Sequence, residues 1–343
     1  MFCLPTSSYR FTESKMHFST IHSHRSSSST VNRISTGIML CTVLVICFAA
    51  GCAANSDFGY DSDDTGPDHW ADHYQECSGK FQSPIDIEED WVSRVSLPPL
   101  QFTGFNDLPL ETKVTNNGHT VLLELDRSSE FQVSGGPLRG DYSFAQLHFH
   151  WGVNDSVGSE DTINNHSYSM ELHMVFYKTK YGDVDNAIKH KDGLLVLAIF
   201  YEAGHLDNLV YSEIVDSLKK IEYPKMSVML HKGFTLKDFL PSDVEHYFTY
   251  NGSLTTPPCL EVVTWIDFKH PTRLSHKQLG EFRKLRSNAG YLTHNARPVQ
   301  PLSGRQVYYN IGGYKDSATN LHSSKAQFAT LLVAFYIAIH NLF

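Results

Sequence analysis

Short apolar or alternating runs dominate the middle of the chain, over residues 121–125, 146–151, 170–176, 194–200 and 261–266. Clusters of Gly, Asn, Asp and Pro separate them, which is the pattern of strands joined by turns. A helical period of 3.6 is clear mainly over 208–221 and 277–285. The span 57–312 therefore reads as one sheet-rich domain with a few helices at its edge. It contains neither internal repeats nor low-complexity linkers.

The two ends carry different patterns. Residues 1–36 are polar and Ser-rich, with Arg10, Lys15, Arg25 and Arg33 against the single acid Glu13. An apolar run over 37–50 follows, then the small residues Gly51-Cys-Ala-Ala54. That order describes a secretory signal peptide. The long basic part leaves open a start at Met16 or Met39, or a retained signal anchor; a mitochondrial transit peptide suits it less, because of the apolar run. At the other end, 326–343 is apolar and no basic segment follows it. A polar spacer over 319–325 and the small residues Asp316-Ser-Ala318 precede it, the order of a GPI-attachment signal whose tail is removed. A packed amphipathic helix would need a polar face, and a membrane span usually carries flanking positive charge. The expected division is a leader with signal peptide or signal anchor over 1–54, a body over 57–312, and a spacer with hydrophobic tail over 313–343. An extracellular, lipid-anchored protein is expected, with free secretion as the alternative.

Composition adds little beyond an ordinary globular core: 41% hydrophobic and 19% charged residues. The net charge of -9 argues against a nucleic-acid partner. Four cysteines (Cys3, Cys41, Cys47, Cys52) fall in the leader, and only Cys77 and Cys259 lie in the body. One distant pair behind secretory signals suggests a single disulfide, the alternative being two unrelated buried thiols. The 19 histidines prompt a search for metal ligands, although most will be surface or tail residues.

His148 and His150 flank Phe149 in an alternating run, so in a strand both imidazoles project from one face. Glu171-Leu-His173 repeats the arrangement, and an adjacent antiparallel strand would bring His173 beside the first pair. Three neutral histidines with an open fourth position for water make a catalytic zinc site. H-x-H alone is a weak signal.

The wider motifs carry more. Gln146-Leu-His-Phe-His-Trp-Gly152, Gly158-Ser-Glu160 and Glu171-Leu-His173 resemble the alpha-class carbonic anhydrases. So do Gln82-Ser-Pro-Ile-Asp-Ile87, Asn116-Asn-Gly-His119, Lys180-Tyr-Gly-Asp183, Ser253-Leu-Thr-Thr-Pro-Pro258 and Asn295-Ala-Arg-Pro-Val-Gln-Pro301, all in family order across nearly all of 57–312. The resemblance implies a single mainly β (α+β) domain around a large twisted, mostly antiparallel sheet, with peripheral helices. It implies reversible hydration of carbon dioxide to bicarbonate and a proton by zinc-bound hydroxide, with Zn2+ held by His148, His150 and His173. Gln146 and Glu171 match the residues that accept the ligands' ring N–H bonds. Thr255 matches a gatekeeper that donates its proton to Glu160 and so aims the hydroxide. Val175, Val196, Leu254 and Trp265 fall where the family builds an apolar wall for carbon dioxide, and Thr256, after the gatekeeper, is a further candidate for the pocket lining; taken singly, each wall residue reads more readily as a core residue.

His119 matches the proton-shuttle histidine, and Tyr60 resembles a tyrosine that orders the solvent chain. Cys77 and Cys259 match the disulfide of extracellular members. Sequons at Asn154 and Asn165 are candidate glycosylation sites; a third, at Asn251, adjoins the Thr255 loop. The chain departs from the family at Asp161, where histidine is usual, and at Leu122, where a polar residue is frequent. A noncatalytic binding module is the rival from another class, but such relatives typically lose a zinc histidine. A zinc peptidase is disfavoured by the lack of H-E-x-x-H. Ester hydrolysis is an expected side activity of the same site, because zinc-hydroxide attacks other carbonyls.

Overall fold

The structure is a computed structural model describing residues 58–61, 64–126, 130–231 and 233–314. The expected leader over 1–54 with its four cysteines, and all but two residues of the 313–343 segment, lie outside the described residues.

A twelve-stranded sheet forms the body. Its central path runs Ser227–Met229, Thr112–Asn116, Val121–Leu125, Tyr142–Trp151, Met170–Lys178, Leu194–Gly204, Val263–Ser275, His246–Gly252, Tyr308–Ile311 and Ser93–Val95. Neighbours are antiparallel except where Leu194–Gly204 meets Val263–Ser275 and Tyr308–Ile311 meets Ser93–Val95. The chain is thus mainly sheet with few helices, the expected class.

The longest strands occupy the middle, where both faces are covered, and their sequences are correspondingly apolar: the first eight residues of Leu194–Gly204 are all buried. Val121–Leu125 coincides with its apolar run, whereas the run at 261–266 overlaps only the start of the strand Val263–Ser275. Phe149 verifies the alternation around the histidines. It points away from them, fully buried, with its ring 5.2 Å from Phe282 and 6.2 Å from Tyr211. The helix His276–Phe282 and the turn Leu209–Tyr211 therefore back the sheet on the face opposite the histidines. The helical pattern over 208–221 resolves into that 3-10 turn followed by the helix Ser212–Leu218. Asn208 caps it by accepting a hydrogen bond from the Val210 amide at 3.1 Å.

A second set of contacts closes the N-terminal segment onto the sheet. Gly252 has no room for a side chain, since a Cβ there would lie 2.1 Å from Ser83 Oγ. Ser83 and Ser253 exchange hydrogen bonds across this contact, each amide donating to the other's hydroxyl at 2.9 and 3.1 Å.

Candidate metal centre

Strand register assembles the centre. His148 pairs directly with His173, and His150 with Glu171, on adjacent antiparallel strands. The three imidazoles share one face, and one nitrogen from each lies within 4.8 Å of the others. Each ring is oriented through its other nitrogen. His148 Nδ1 donates to Gln146 Oε1 at 2.9 Å, His150 Nδ1 to the Asn295 carbonyl at 2.8 Å, and His173 Nε2 to Glu171 Oε1 at 2.6 Å. His148 and His150 thus present Nε2 inward, and His173 presents Nδ1.

Burial keeps these nitrogens unprotonated. It lowers the His148 pKa well below that of a free imidazole, assisted by repulsion from His150 and His173. His150 shifts the same way, and His173 falls to about 3. His150 Nε2 is buried without any hydrogen-bond partner. Glu160 Oε2 lies 3.3 Å from it and is equally unpartnered. With the His150 proton committed at Nδ1, these two atoms are acceptors facing one another, a pairing that only a shared cation or proton relieves. Three neutral imidazoles around such an orphaned nitrogen fit zinc.

Carboxylates and amides brace the imidazoles from behind. Glu171 Oε2 accepts from the Glu160 and Asp161 amides at 2.8 and 3.0 Å; burial nevertheless raises its pKa to about 8. Glu160 Oε1 accepts from the Arg297 amide at 2.8 Å, and the Glu160 carboxyl is also hydrogen-bonded by the Thr255 side chain. Burial pushes its pKa up, while those two donors oppose the shift. Thr255 is buried, and the Trp265 indole donates to the Ser253 carbonyl just before it at 3.2 Å. Gln146, Val175, Val196 and Trp265 form one cross-strand row beside the histidines, all on their face of the sheet. Leu254 is buried in the neighbouring loop and Thr256 is half-buried.

His119 is half-buried in the turn after Thr112–Asn116, and its ring stacks on Phe58 at 3.9 Å. Tyr60 is buried, its hydroxyl without a partner; burial raises its pKa, as does the nearby Glu160. Leu122 pairs with His148 across the strands, so an apolar side chain shares the histidine face there. Asn154 and Asn165 are exposed, outside this assembly.

The departure at Asp161 is absorbed locally. Its Oδ1 accepts from the Ile85 amide at 2.6 Å and from Tyr250 at 3.1 Å. Cys77 and Cys259 form a disulfide with Cα atoms 4.9 Å apart.

Three contributors had no assigned role in the sequence. Asn295 orients His150 through its carbonyl. Its side chain accepts from the Trp151 amide at 2.7 Å and donates to the carbonyls of His119 and Phe149 at 3.0 and 2.9 Å. Arg297 donates to Gln82, Ser83 and Cys77. Both belong to a motif that was visible, but a backbone acceptor leaves no residue-type signature. The third is Asp267, in the row of His148, His173 and Ala198. It is fully buried, and neither carboxyl oxygen has a hydrogen-bond partner.

A large twisted sheet bearing three inward imidazoles, each oriented through its second nitrogen, defines a protein built around the donor set of a catalytic zinc centre. The family model for eukaryotic-type carbonic anhydrase matches residues 65–311. Carbonic anhydrase 6 of Mus musculus is 37% identical over 286 residues, covering 81% of this chain and 89% of its own length. Carbonic anhydrase 7 of Homo sapiens is 38% identical over 258 residues, covering 73% and 96%. Carbonic anhydrase 15 of Mus musculus is 36% identical, covering 78% and 87%. The chain belongs to the carbonic anhydrase family and is a carbonic anhydrase, an enzyme of carbon dioxide hydration.

Proposed function

We propose that the chain interconverts carbon dioxide and bicarbonate at a zinc ion held by His148, His150 and His173, with Thr255 and Glu160 orienting the nucleophile and His119 exporting the proton. The observation that carries this reading is the convergence of three unprotonated imidazoles around the orphaned Nε2 of His150. Bound zinc supplies hydroxide near neutral pH by lowering the pKa of water to about 7, an effect for which carbonic anhydrase is the reference case.

The protein's own groups do the rest. Gln146, Glu171 and the Asn295 carbonyl hold the ligand tautomers. Thr255 commits its proton to Glu160, so its oxygen is left to accept from the nucleophile and fix its direction. Val175, Val196, Leu254 and Trp265 offer a nonpolar substrate an apolar wall without ionic anchors. His119 exchanges protons with bulk buffer, an imidazole being suited to transfer in both directions. Tyr60 orders the solvent between. Changing His173 to Ala removes one of three protein donors, so the folded variant should retain little zinc and almost no hydration activity. Stoichiometric zinc with normal turnover in stopped-flow assays refutes the ligand assignment.

The domain division proposed is a secretory leader over 1–54, the catalytic body over 57–312 and a lipid-anchor signal over 313–343. Support comes from the terminal sequence patterns, the exposed sequons at Asn154 and Asn165, and the disulfide. Among the described residues no helix is long and apolar enough to cross a membrane. Cleavage near Asp316–Ala318 with lipid attachment there displays the enzyme outside the cell. Phosphatidylinositol-specific phospholipase should then release activity from intact cells. Activity retained on cells, with peptides from 326–343 present, indicates an uncleaved tail.

A further inference from the structure

A second cluster of metal-ligating side chains lies on the sheet surface, apart from the centre described above. Asp243, His246 and His270 bring one donor atom each within 4.8 Å of one another. All three remain solvent-accessible, with side chains 31%, 36% and 54% exposed.

Two features show how the backbone assembles this group. Asp243 is fixed from behind: its Oδ1 accepts from the Glu245 and His246 amides at 3.0 and 3.2 Å. That leaves Oδ2 facing both imidazoles, 2.6 Å from His246 Nδ1 and 3.5 Å from His270 Nε2. A strand irregularity supplies the second histidine. Tyr247 stands opposite Phe268, so regular alternation would send His246 and His270 to opposite faces of the sheet. Pairing with the other neighbour slips at this point: Ile199 matches Phe268 but Tyr201 matches Thr272. Lys269, His270 and Pro271 therefore bulge against Phe200 alone, and the bulge turns His270 toward His246. Lys269, beside His270 in sequence, is paired with Glu89 at 2.6 Å, so its charge is compensated.

We propose that Asp243, His246 and His270 form a second, surface metal site for a borderline divalent ion of the zinc or copper kind. Two imidazoles and one carboxylate oxygen select such an ion over calcium or magnesium, which prefer sets made of oxygen alone. The ion takes the place of the proton between His246 Nδ1 and Asp243 Oδ2, and the His246 ring adopts its other tautomer. Water completes the coordination. The site would clip the segment around Asp243 to the two strands carrying His246 and His270.

The test is equilibrium dialysis of the zinc-loaded, disulfide-intact enzyme against Zn2+, with metal content measured directly. One further saturable equivalent per chain is expected, with Cu2+ competing more strongly than Zn2+ and Mg2+ not competing. The double substitution D243N/H270A should weaken the added equivalent by at least about tenfold while the first zinc and carbon dioxide hydration persist. A copper-loaded sample should show nitrogen hyperfine structure from two imidazoles in electron paramagnetic resonance, reduced to one in His270→Ala. Absence of a second equivalent in the parent enzyme overturns the proposal. So does a second equivalent that survives unchanged in the double variant, since other imidazoles would then hold it.

Discussion

Replacing Asp267 by Asn should stabilise the enzyme, by an amount that grows with pH. Asp267 is fully buried, its two oxygens have no hydrogen-bond donor, and Asp161 and Glu171 oppose its ionisation. Burial is the larger cause and pushes its pKa well above the usual carboxylate range. The folded protein thus holds a proton that the unfolded chain releases above about pH 4. Stability must therefore fall as pH rises, by at most about 1.4 kcal/mol per pH unit for one proton. Asn keeps the shape and removes this linkage. Between pH 5 and pH 7 the advantage of the variant should widen by up to about 2.7 kcal/mol. Urea denaturation of zinc-loaded wild type and variant at both pH values measures it, and taking the difference cancels the histidines common to both. An advantage that does not change with pH refutes a protonated Asp267. A variant less stable at both values shows that the carboxyl has a donor.

Two further outcomes probe other parts of the molecule. His119→Ala should lower kcat in dilute buffer by about tenfold to a hundredfold and leave kcat/KM for carbon dioxide nearly unchanged, with added imidazole restoring turnover; an unimpaired variant would mean that protons leave by another route past Leu122. Cys77→Ser opens a bond spanning a sequence separation of 182. By the chain-entropy model it should cost up to about 5 kcal/mol; a variant with unchanged unfolding midpoint refutes that closure argument.

The histidine centre was legible because two H-bearing runs alternate strictly and a strand converts that spacing into a shared face. The central strands were legible for a related reason: runs such as 194–200 are buried on both faces and so consist of apolar residues. Short strands such as Ser93–Val95 and Gln101–Thr103 carry no fully buried residue, and no pattern announced them. The helix placed over 277–285 begins one residue earlier, because Ser275 and Gln278 form a capping box at its N-terminus, and it ends at Phe282. Asn295, Arg297 and Asp267 remained hidden for another reason. Each matters through what lies across from it in space, and Asp267 in particular interrupts an apolar run without a local sign that it is unpaired.

The direct pairing of His148 with His173 has a consequence for how the chain reaches its native state. The two residues come from separate strands whose side chains alternate between faces, so a slip of one residue in their register would move one of the two imidazoles to the opposite face of the sheet. Metal capture therefore reads the alignment of the two central strands. A chain that has collapsed with those strands misaligned binds no ion at the centre, and one that binds has already been sorted. On the proposed zinc assignment, uptake during refolding should trail the appearance of sheet and coincide with the last gain in tertiary order, and the ion would then proofread topology as well as take part in the chemistry.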